Sequence, residues 1–431
     1  SPMPPLDTLT SRLRPPPLLL SPPVLLNFLL LLPFLTPSAH ELVGKGSFGT
    51  GDLALTVTVR YPAERLQKSG SGIDGGISMD DAGLYLRGGL AATGAALCGL
   101  NWDKGLRLEQ ISSSEWRHSL SCALATIENS KTLEMKVLVN DQIWSMGSNH
   151  RVDLVNVTTA VITPWFEETT GVLQIVPRIA SKELGNERDV IVYVPPGYTE
   201  NEHLVPSSVL IMHDGQNLFN PETAFMGQAW MVQYTTNPLI VEGKMEPILI
   251  IGVYNAGAAR TDEYTNCFDS DEQAGGKADI YLDFLESTIL PLISSKFRTP
   301  NISPQTLGIL GSSLGGLLSC YAAATRPDVY GRAGCMSPSF WWSNEDFKSN
   351  IVPKAPDATS SRAPIYYLDS GDQGGDASSI EQPTIAVRDR LRQSKGYTIN
   401  EDLYYYLDQG GDHNEKFWGA RFCTDLITSQ Q

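Results

Sequence analysis

The chain has 431 residues, which exceeds one typical domain and predicts two. Its apolar share of 42% is ordinary for a globular protein, and its formal net charge of -16 argues against a nucleic acid or an anionic membrane surface as a partner. Such a charge suits a soluble protein in a salty or extracellular setting, although many cytosolic proteins are acidic too.

The first 39 residues have the features of a processed leader. Arg12 and Arg14 precede a proline-rich stretch and an apolar run at residues 24–32, and residues 37–39 (Pro-Ser-Ala) offer the small side chains of a cleavage site. The apolar run is too short and too often interrupted by proline for a membrane span. We therefore predict a signal peptide over residues 1–39 and a secreted protein without membrane attachment after its removal. A plastid leader or an uncleaved anchor is the alternative.

Residues 40–165 alternate apolar and polar positions in short runs separated by glycine, aspartate and asparagine. This pattern predicts strands rather than helices. The runs lie at residues 53–59, 83–88, 133–139 and 152–154. Several short strands of this kind predict a β-sandwich as the first domain.

From Gly171 onward, strand and helix patterns alternate, which is typical of a βα sheet. We place the second domain at residues 166–431, with the junction near residues 164–170. Strands are predicted at residues 172–178, 188–194, 207–213, 247–253, 306–310, 331–336, 364–369 and 402–407, and helices near 276–295, 314–325 and 383–394. The fold class is therefore α/β, with an all-β domain before it.

The pattern Gly-x-Ser-x-Gly, centred on Ser313, lies between a predicted strand and a predicted helix. A nucleophile on such a turn has strained backbone angles and crowded neighbours, so small residues are required at Gly311 and Gly315. The pattern is short and common by chance. The strand before it, the helix after it and the order of the residues that follow make Ser313 the candidate nucleophile.

A serine hydroxyl needs a base that takes its proton and a carboxylate that orients the base. His413 is the one histidine after Ser313 and lies in a polar loop after the last predicted strand. The acid belongs in the loop after the preceding strand, where Asp376 fits the spacing best and Asp372 is close behind. Asp369 lies at the strand end and can cap it, and a Ser-His dyad without a carboxylate stays open.

Two backbone N–H groups are needed to hold the negatively charged oxygen that forms when a serine attacks a carbonyl carbon. One is that of Leu314, directly after the candidate nucleophile, and the other is assigned to Gln216 in the loop after the third strand, where Gly215 permits close approach. We interpret His213 as structural because it precedes the nucleophile. No metal site is predicted, since His213 lacks further ligands at useful spacing and the acidic run at residues 269–272 fits a solvated loop better than a calcium site.

Several pieces of the second domain resemble one family. They are His213–Phe219, Gly227 with Trp230, Arg260 with Glu263 and Tyr264, Gly311–Gly316, Ser337–Trp342 and Gly411–His413. They are similar to the putative-esterase family of the α/β-hydrolases, which includes enterochelin esterases, feruloyl and acetylxylan esterases, S-formylglutathione hydrolases and mycolyltransferases. The resemblance implies an eight-stranded, mostly parallel sheet and ester hydrolysis without a cofactor. The acid loop at residues 371–376 departs in length from the common pattern.

The first domain resembles starch-binding and glycogen-binding carbohydrate modules. The matching positions are Tyr85–Gly88, Leu100–Asp103, Glu115 with Trp116, Met135–Val137, Trp144 and Asn149. These modules stack sugar rings on exposed tryptophans, so the resemblance implies Trp102 and Trp144, with Trp116 as a further candidate, as a polysaccharide-binding surface. Core packing of these side chains is the alternative.

Other aromatic and sulfur-containing residues permit weaker assignments. Trp230, Trp341 and Trp342 are candidates to line the acyl or sugar pocket, with core packing as the alternative. Cys320 and Cys335, on an apolar helix and an apolar strand, are interpreted as buried free thiols. No disulfide pairing is assigned, although Cys98 and Cys122 form the simplest pair to envisage.

The sequence therefore predicts a secreted two-domain serine esterase acting on an acyl ester of a carbohydrate, of the feruloyl or acetyl type. One alternative is a siderophore esterase of the enterochelin type, and another is an acyltransferase to a sugar. A non-enzymatic alternative is a carbohydrate-binding protein on an inactive hydrolase scaffold.

Overall fold

The computed structural model describes residues 52–69, 82–123, 132–154 and 157–423. The leader predicted over residues 1–39 lies outside these residues. The strand and helix patterns predicted an all-β part followed by an α/β part, and the order of the elements confirms this prediction.

The strands between residues 52 and 162 form two sheets. The strands are β1 Asp52–Arg60, β2 Leu84–Leu90, β3 Leu106–Arg107, β4 Glu109–Gln110, β5 Glu115–Ala123, β6 Thr132–Val139, β7 Ile143–Trp144, β8 His150–Asp153 and β9 Thr159–Ile162, with helix α1 Ala63–Ser69 after β1. One sheet has the order β4-β5-β1-β9, and the other has the order β3-β2-β6-β7 with β8 also paired to β6.

Alternate side chains of these strands meet in one core. Leu55 and Val57 of β1 and Leu133 and Met135 of β6 are at most 1% exposed, whereas the residues between them are more exposed. Because successive strand side chains point to opposite faces, one face of each sheet is apolar and the two faces pack together. The four predicted strands are present. The prediction missed β5, in which only Trp116 and Leu120 are large buried apolar residues among polar ones.

The second part of the chain is built on an eight-stranded sheet. Its strands are β10 Val172–Ser181, β11 Asn186–Val194, β12 Ser208–His213, β13 Ile248–Val253, β16 Leu307–Ser312, β17 Arg332–Met336, β18 Ile365–Gly371 and β19 Leu403–Asp408; the short hairpin β14 Phe268–Asp269 and β15 Ala274–Gly275 lies outside it. The order is β10-β11-β13-β12-β16-β17-β18-β19, in which β11 pairs antiparallel with both β10 and β13 and the remaining pairs are parallel. All eight predicted strands are confirmed, and the serine turn follows the fifth of them.

Helices cover both faces of this sheet. They are α2 Val232–Val241, α3 Arg260–Tyr264, α4 Ala278–Phe284, α5 Leu290–Lys296, α6 Leu314–Thr325, α7 Trp342–Asp346, α8 Glu381–Lys395 and α9 Glu415–Cys423. A π-helical turn at Leu285–Ile289 joins α4 to α5, where one helix was predicted. Further π-helical turns lie at Phe347–Ile351 and Asp376–Ile380, and 3-10 turns at Gly215–Asn217, Phe225–Gly227, Gly257–Ala259 and Val352–Lys354.

The central strands are apolar on both faces because both faces are covered. Val209 and Ile211 of β12 belong to the core on one side of the sheet, and Leu210 and Met212 belong to the core on the other. Continuous apolar runs of this kind are typical of buried parallel strands. Helix α2 was not predicted, since its sequence carries a proline, Pro238, and two threonines.

The free-thiol interpretation of Cys320 and Cys335 is wrong. The two residues form a disulfide bond between α6 and β17, with their Cα atoms 5.8 Å apart. Helix α6 crosses directly over the neighbouring strand β17, which brings the two side chains together although 15 residues separate them. Cys98 is also disulfide-bonded, and Cys267 is the free cysteine among the described residues.

The sandwich and the large sheet meet at Glu200, a buried carboxylate in the loop after β11. Its oxygens accept hydrogen bonds from Tyr61 Oη at 2.9 Å and from the backbone N–H groups of residues 166–168 at 2.7, 2.8 and 2.9 Å. Next to it, Asn201 Nδ2 donates to the carbonyl oxygen of Arg60 at 2.9 Å. The buried side chains of Glu200 and Asn201 are therefore paired across the junction, as a stable contact requires.

Trp165 fills the remaining space at this junction. Its side chain is 5% exposed and belongs to the core on one face of the large sheet. Gly197 has a φ of 84°, and a Cβ built there would lie 2.5 Å from Trp165 Cγ, so both the backbone angle and the close approach require glycine. The indole of Trp165 thus ties the connecting segment to the second part of the chain.

The contacts between the two parts lie at one edge of the large sheet. Tyr193 of β11 is opposite Ile250 of antiparallel β13, so the loop that follows β11 meets the beginning of β13. At the same edge, Gly147 N–H of the sandwich donates to Val241 O at the end of α2 at 3.0 Å. The loops that follow the parallel strands lie at the opposite edge, where side chains from several strands converge.

Candidate active site

Ser313 lies on the turn between β16 and α6. Its backbone angles, φ 59° and ψ -124°, fall outside the regions that serine usually occupies, which is a strained conformation. Ser313 N–H donates to Met336 O, and Ser339 N–H donates to Ser313 O, both at 3.0 Å. A Cβ built on Gly311 would lie 2.9 Å from the backbone of Gly315. The predicted strand-turn-helix is present, and its glycines are required sterically.

The loops after the last two strands bring His413 and Asp376 to Ser313. His413 Nε2 lies 2.9 Å from Ser313 Oγ, and His413 Nδ1 lies 2.7 Å from Asp376 Oδ1. Asp372 contacts neither residue: its Oδ1 accepts hydrogen bonds from Gly410 N–H at 2.7 Å and from the neighbouring Gln373 side chain. Of the two aspartates considered from the sequence, the structure therefore places Asp376 against the histidine.

Asp376 is fully buried, yet it is arranged to carry a negative charge. Burial alone would raise the pKa of its carboxyl group, but the hydrogen bond with His413 and the charge of Arg421 outweigh it and hold that pKa below the usual value. Its Oδ2 accepts hydrogen bonds from Gly371 N–H at 2.6 Å and Ser337 Oγ at 2.8 Å. A carboxylate with this set of donors is fixed in place and oriented.

Asp369 at the end of β18 is not a simple strand cap. It is fully buried and accepts hydrogen bonds from Ser337 N–H at 2.8 Å and Tyr367 Oη at 2.9 Å. Burial raises its pKa to about 6. Ser337 belongs to the segment that resembles the family, but nothing in the local sequence indicates that Ser337 or Arg421 contacts a distant carboxylate.

The groups assigned to oxyanion binding are free to act as donors. Within the described residues, neither Leu314 N–H nor Gln216 N–H donates a hydrogen bond. The loop before Gln216 packs directly against the serine turn, since a Cβ on Gly311 would lie 2.9 Å from His213 Cδ2 and one on Gly315 would lie 3.3 Å from His213 Cβ. The start of the loop that carries Gln216 therefore packs against the turn that carries Ser313.

An ion pair stiffens this loop. Asp214 Oδ1 and Oδ2 accept hydrogen bonds from Arg260 Nε and Nη2, both at 2.8 Å, and Asn255 Nδ2 donates to Oδ1 at 2.7 Å. Burial would raise the pKa of Asp214, but Arg260 outweighs it and lowers that pKa. His213 lies in the core with Nδ1 3.4 Å from Tyr281 Oη, and burial lowers its pKa to about 3, so its imidazole is neutral at neutral pH.

The tryptophans assigned to a substrate pocket lie mostly in the core. Trp230 is 4% and Trp342 2% exposed, and Trp342 Nε1 donates to Cys267 O, so neither side chain is open to a ligand. Trp341 is partly buried against the same core. The sequence analysis did not identify Trp418 of α9, whose ring packs edge-on against His413 with 5.0 Å between centroids and fixes that side of the imidazole.

The sandwich carries a pair of partly exposed tryptophans. Trp102 and Trp144 have ring centroids 6.3 Å apart, and Trp144 is 42% exposed. Arg87 lies over the Trp144 ring and donates to Trp102 O at 3.1 Å and to Asp141 Oδ1 at 2.7 Å. Trp116, the further candidate, is 4% exposed and is a core residue.

Neither a metal cluster nor a membrane-spanning helix is found within the described residues. The described residues contain no group of three or more histidine, cysteine, aspartate or glutamate side chains that could hold a metal ion. No helix within the described ranges is both long and apolar enough to cross a membrane.

Comparison with known families decides the class of this protein. The model of a family described as "Putative esterase" matches residues 181–429, which contain the serine turn, His413 and Asp376. The chain belongs to this esterase family. The enzyme is accordingly a carboxylic ester hydrolase with the fold of the α/β-hydrolases, as the resemblance implied.

Individual relatives of this esterase are distant. Uncharacterized protein YbbA of Bacillus subtilis (strain 168) is 25% identical over 256 residues, which are 58% of this chain and 94% of that protein. The siderophore triacetylfusarinine C esterase of Aspergillus fumigatus is 38% identical over 69 residues, which are 16% of this chain and 23% of that protein.

Solved structures similar to the esterase include two hydrolases. An IroE-like serine hydrolase from Shewanella oneidensis has a TM-score of 0.46 and 18% identity, covering 59% of this chain and 78% of that one. The enterobactin esterase FES from Shigella flexneri has a TM-score of 0.45 and 13% identity, covering 89% of this chain and 94% of that one.

Proposed function

We propose that this protein is a serine esterase that uses Ser313, His413 and Asp376 as a catalytic triad on an acyl ester of a carbohydrate, of the feruloyl or acetyl type. The observation that carries the proposal is the hydrogen-bonded chain from Ser313 Oγ through His413 to the buried Asp376, with distances of 2.9 and 2.7 Å. An ordinary serine hydroxyl has no such partners.

The chemistry follows from these contacts. His413 Nε2 accepts the Ser313 proton as Oγ attacks the ester carbonyl, and the same nitrogen then protonates the departing alcohol. Asp376 orients the imidazole and stabilises its protonated form. The N–H groups of Leu314 and Gln216, with the N-terminus of α6, stabilise the negative oxygen of the tetrahedral intermediate. Water then attacks the acyl-enzyme by the same route, and no cofactor takes part.

The substrate class is supported by the family and by the sandwich. The family to which the chain belongs consists of esterases, and a matched relative is named as a siderophore esterase, so a siderophore ester is the second candidate. The paired tryptophans of the sandwich favour a carbohydrate, because exposed indole faces suit sugar rings. The secretion that we propose, after removal of a leader at residues 1–39, would accord with a polymeric substrate outside the cell.

The decisive experiment is a substrate panel. The purified protein would be assayed on methyl ferulate, acetylated sugars, a siderophore ester and p-nitrophenyl acetate, with Ser313→Ala as the blank. We expect the highest kcat/KM on the feruloyl or acetyl-sugar esters. A preference for the siderophore ester would favour the second candidate, and transfer of the acyl group to an added sugar would identify an acyltransferase. Absence of turnover on every ester would favour an inactive scaffold.

We further propose that Trp102 and Trp144 form a polysaccharide-binding surface. Arg87 contacts both tryptophans, since it donates to Trp102 O and lies over the Trp144 ring. Its hydrogen bond to Asp141 lowers the pKa of that carboxyl group, so a charged pair lies beside the two rings. This surface would hold the enzyme on a polymer and raise its local concentration there without changing the chemistry at Ser313.

Trp144→Ala should weaken retention on insoluble α-glucan or xylan by roughly 60-fold, since removing roughly 100 Å² of indole from water is worth about 2.5 kcal/mol and each 1.4 kcal/mol is about a factor of ten. Trp102→Ala should act in the same direction, and turnover of p-nitrophenyl acetate should be unchanged. The measurement is a binding isotherm on the washed polymer.

Tyr234→Ala is the matched control, because Tyr234 is an aromatic residue of the other part of the chain with 65% exposure. Equal retention of all three variants and the wild type would overturn the binding surface. Point variants are preferable to removal of residues 40–165, which would also take away Tyr61 and Trp165 from the junction.

A further inference from the structure

The side of Asp376 that faces away from His413 is occupied by an arginine. Arg421 Nη1 lies 3.4 Å from Asp376 Oδ2, and Arg421 Nη2 donates to Ser337 Oγ at 2.7 Å. Ser337 Oγ in turn donates to Asp376 Oδ2 at 2.8 Å. The guanidinium therefore acts on the carboxylate directly through its charge and indirectly through the serine hydroxyl.

Arg421 belongs to the helix that follows the histidine. Helix α9 begins at Glu415, two residues after His413, and brings Arg421, which is 2% exposed, back under the site. His413 thus lies just before this helix, and Arg421, which contacts the acid, lies about 1.7 turns after the first residue of the helix. Trp418 of the same helix packs on the imidazole.

Arg421 faces more than one carboxyl group. Asp369 Oδ1 of β18 lies 3.5 Å from Arg421 Nη1, and Asp408 Oδ2 of β19 lies 4.0 Å from Arg421 Nε. Side chains of Arg421 and Asp369 are at most 1% exposed, so solvent screens these charges little. Two buried carboxyl groups, Asp369 and Asp376, therefore compete for one guanidinium.

We propose that Arg421 is a positioning residue for ester hydrolysis, because it keeps Asp376 ionised and oriented toward His413. The negative charge of Asp369 offsets part of the positive charge of Arg421. The inference rests on the proposed triad. Without Arg421, Asp376 would lie buried beside two acidic neighbours with no cation, where the neutral acid is favoured. A protonated Asp376 could no longer stabilise the imidazolium that forms during catalysis.

The pKa values of the two aspartates agree with these roles of Arg421 and Asp369. Burial raises the pKa of Asp369 to about 6, whereas the pKa of Asp376 stays below its usual value despite burial because His413 and Arg421 act on it. Asp369 therefore changes its charge within the pH range in which the enzyme is expected to work. Each change alters the electrostatic balance around Arg421 and hence around the site.

The test is the rate at which a fluorophosphonate labels Ser313, measured from pH 4 to 9 on the full chain. This reagent reacts with any activated serine, so the natural ester need not be known. Arg421→Gln should move the acidic limb of the profile to higher pH by roughly 1 unit, because loss of the nearby positive charge makes protonation of the site easier. Asp369→Asn should move the limb to lower pH.

Arg188→Gln is the matched control, because Arg188 is another buried arginine whose ion pair is with Glu263, at an N–O distance of 2.8 Å, and not with Asp369 or Asp376. It should lower the melting temperature and leave the limb in place. Arg421→Lys, which keeps the charge, should restore much of the wild-type profile.

The outcomes separate the two proposals. A wild-type chain that is not labelled at any pH would overturn the proposed triad. Normal labelling with an unshifted limb in Arg421→Gln would overturn the role of Arg421 alone. If Arg421→Gln does not fold, Asp369→Asn decides, since an unchanged limb or a shift to higher pH in that variant contradicts the inference.

Discussion

Ser313→Ala should abolish ester turnover, with kcat lower by about 10⁴-fold or more, because no other group can form the acyl-enzyme. His413→Ala should have an effect of similar size, since Ser313 Oγ then loses the only base within hydrogen-bond distance among the described residues. The double variant should be little worse than either single one, as the pair acts as a unit. Steady-state kinetics on the best ester of the panel would measure all three.

Ser319→Ala is the control for this experiment. Ser319 is a buried serine on helix α6, which follows Ser313, and its Oγ donates to the helix carbonyl of Gly315 at 2.8 Å. Its kcat should stay within about twofold of the wild type, since a single neutral hydrogen bond is worth about 1 kcal/mol of stability and takes no part in the chemistry. More than a tenth of the wild-type rate in Ser313→Ala, roughly 1.4 kcal/mol of barrier, would remove Ser313 from the mechanism.

Asp376→Asn should lower kcat by roughly 10³-fold or more, because an amide can donate to His413 and hold the wrong tautomer. The neutral amide also fails to stabilise the imidazolium. Asp372→Asn should stay within about twofold, because Asp372 contacts Gly410 N–H and not the histidine. The two variants would be compared side by side on one ester, with KM and kcat determined separately.

The ranking of these two variants is itself informative. A larger loss in Asp372→Asn would mean that the loop rearranges on substrate binding and exchanges the acids. Normal rates in both variants would leave a Ser-His dyad, the third possibility that the sequence left open.

The sequence predicted the large sheet well because its strands are locally distinctive. Runs such as Ile248–Val253 are apolar throughout. A continuous apolar run of this length indicates a strand buried on both faces, and it can be recognised from the local sequence alone. The serine turn was equally clear, since Gly311 and Gly315 satisfy a steric need that lies within five residues. Helix α2 and strand β5 were not predicted, because their apolar residues follow neither the helical spacing of three to four residues nor the strict alternation of a strand.

The parts of the site that the sequence could not reveal depend on contacts between distant residues. Ser337 and Arg421 lie 84 residues apart and meet only because β17 and α9 converge beneath Asp376. The disulfide between Cys320 and Cys335 depends on one helix crossing a neighbouring strand. The choice between Asp372 and Asp376 likewise required the loop geometry, since both residues have acceptable spacing from the strand.

The shared carboxylate at Glu200 has a consequence for how the chain melts. Unfolding of the sandwich alone would strip Glu200 of Tyr61 and expose Trp165, so each part contributes to the free energy of the other. We therefore expect one heat-absorption peak in calorimetry, with van't Hoff and calorimetric enthalpies in agreement. Tyr61→Phe should begin to split that peak into two. The two parts, although distinct in architecture, would then constitute one cooperative thermodynamic unit.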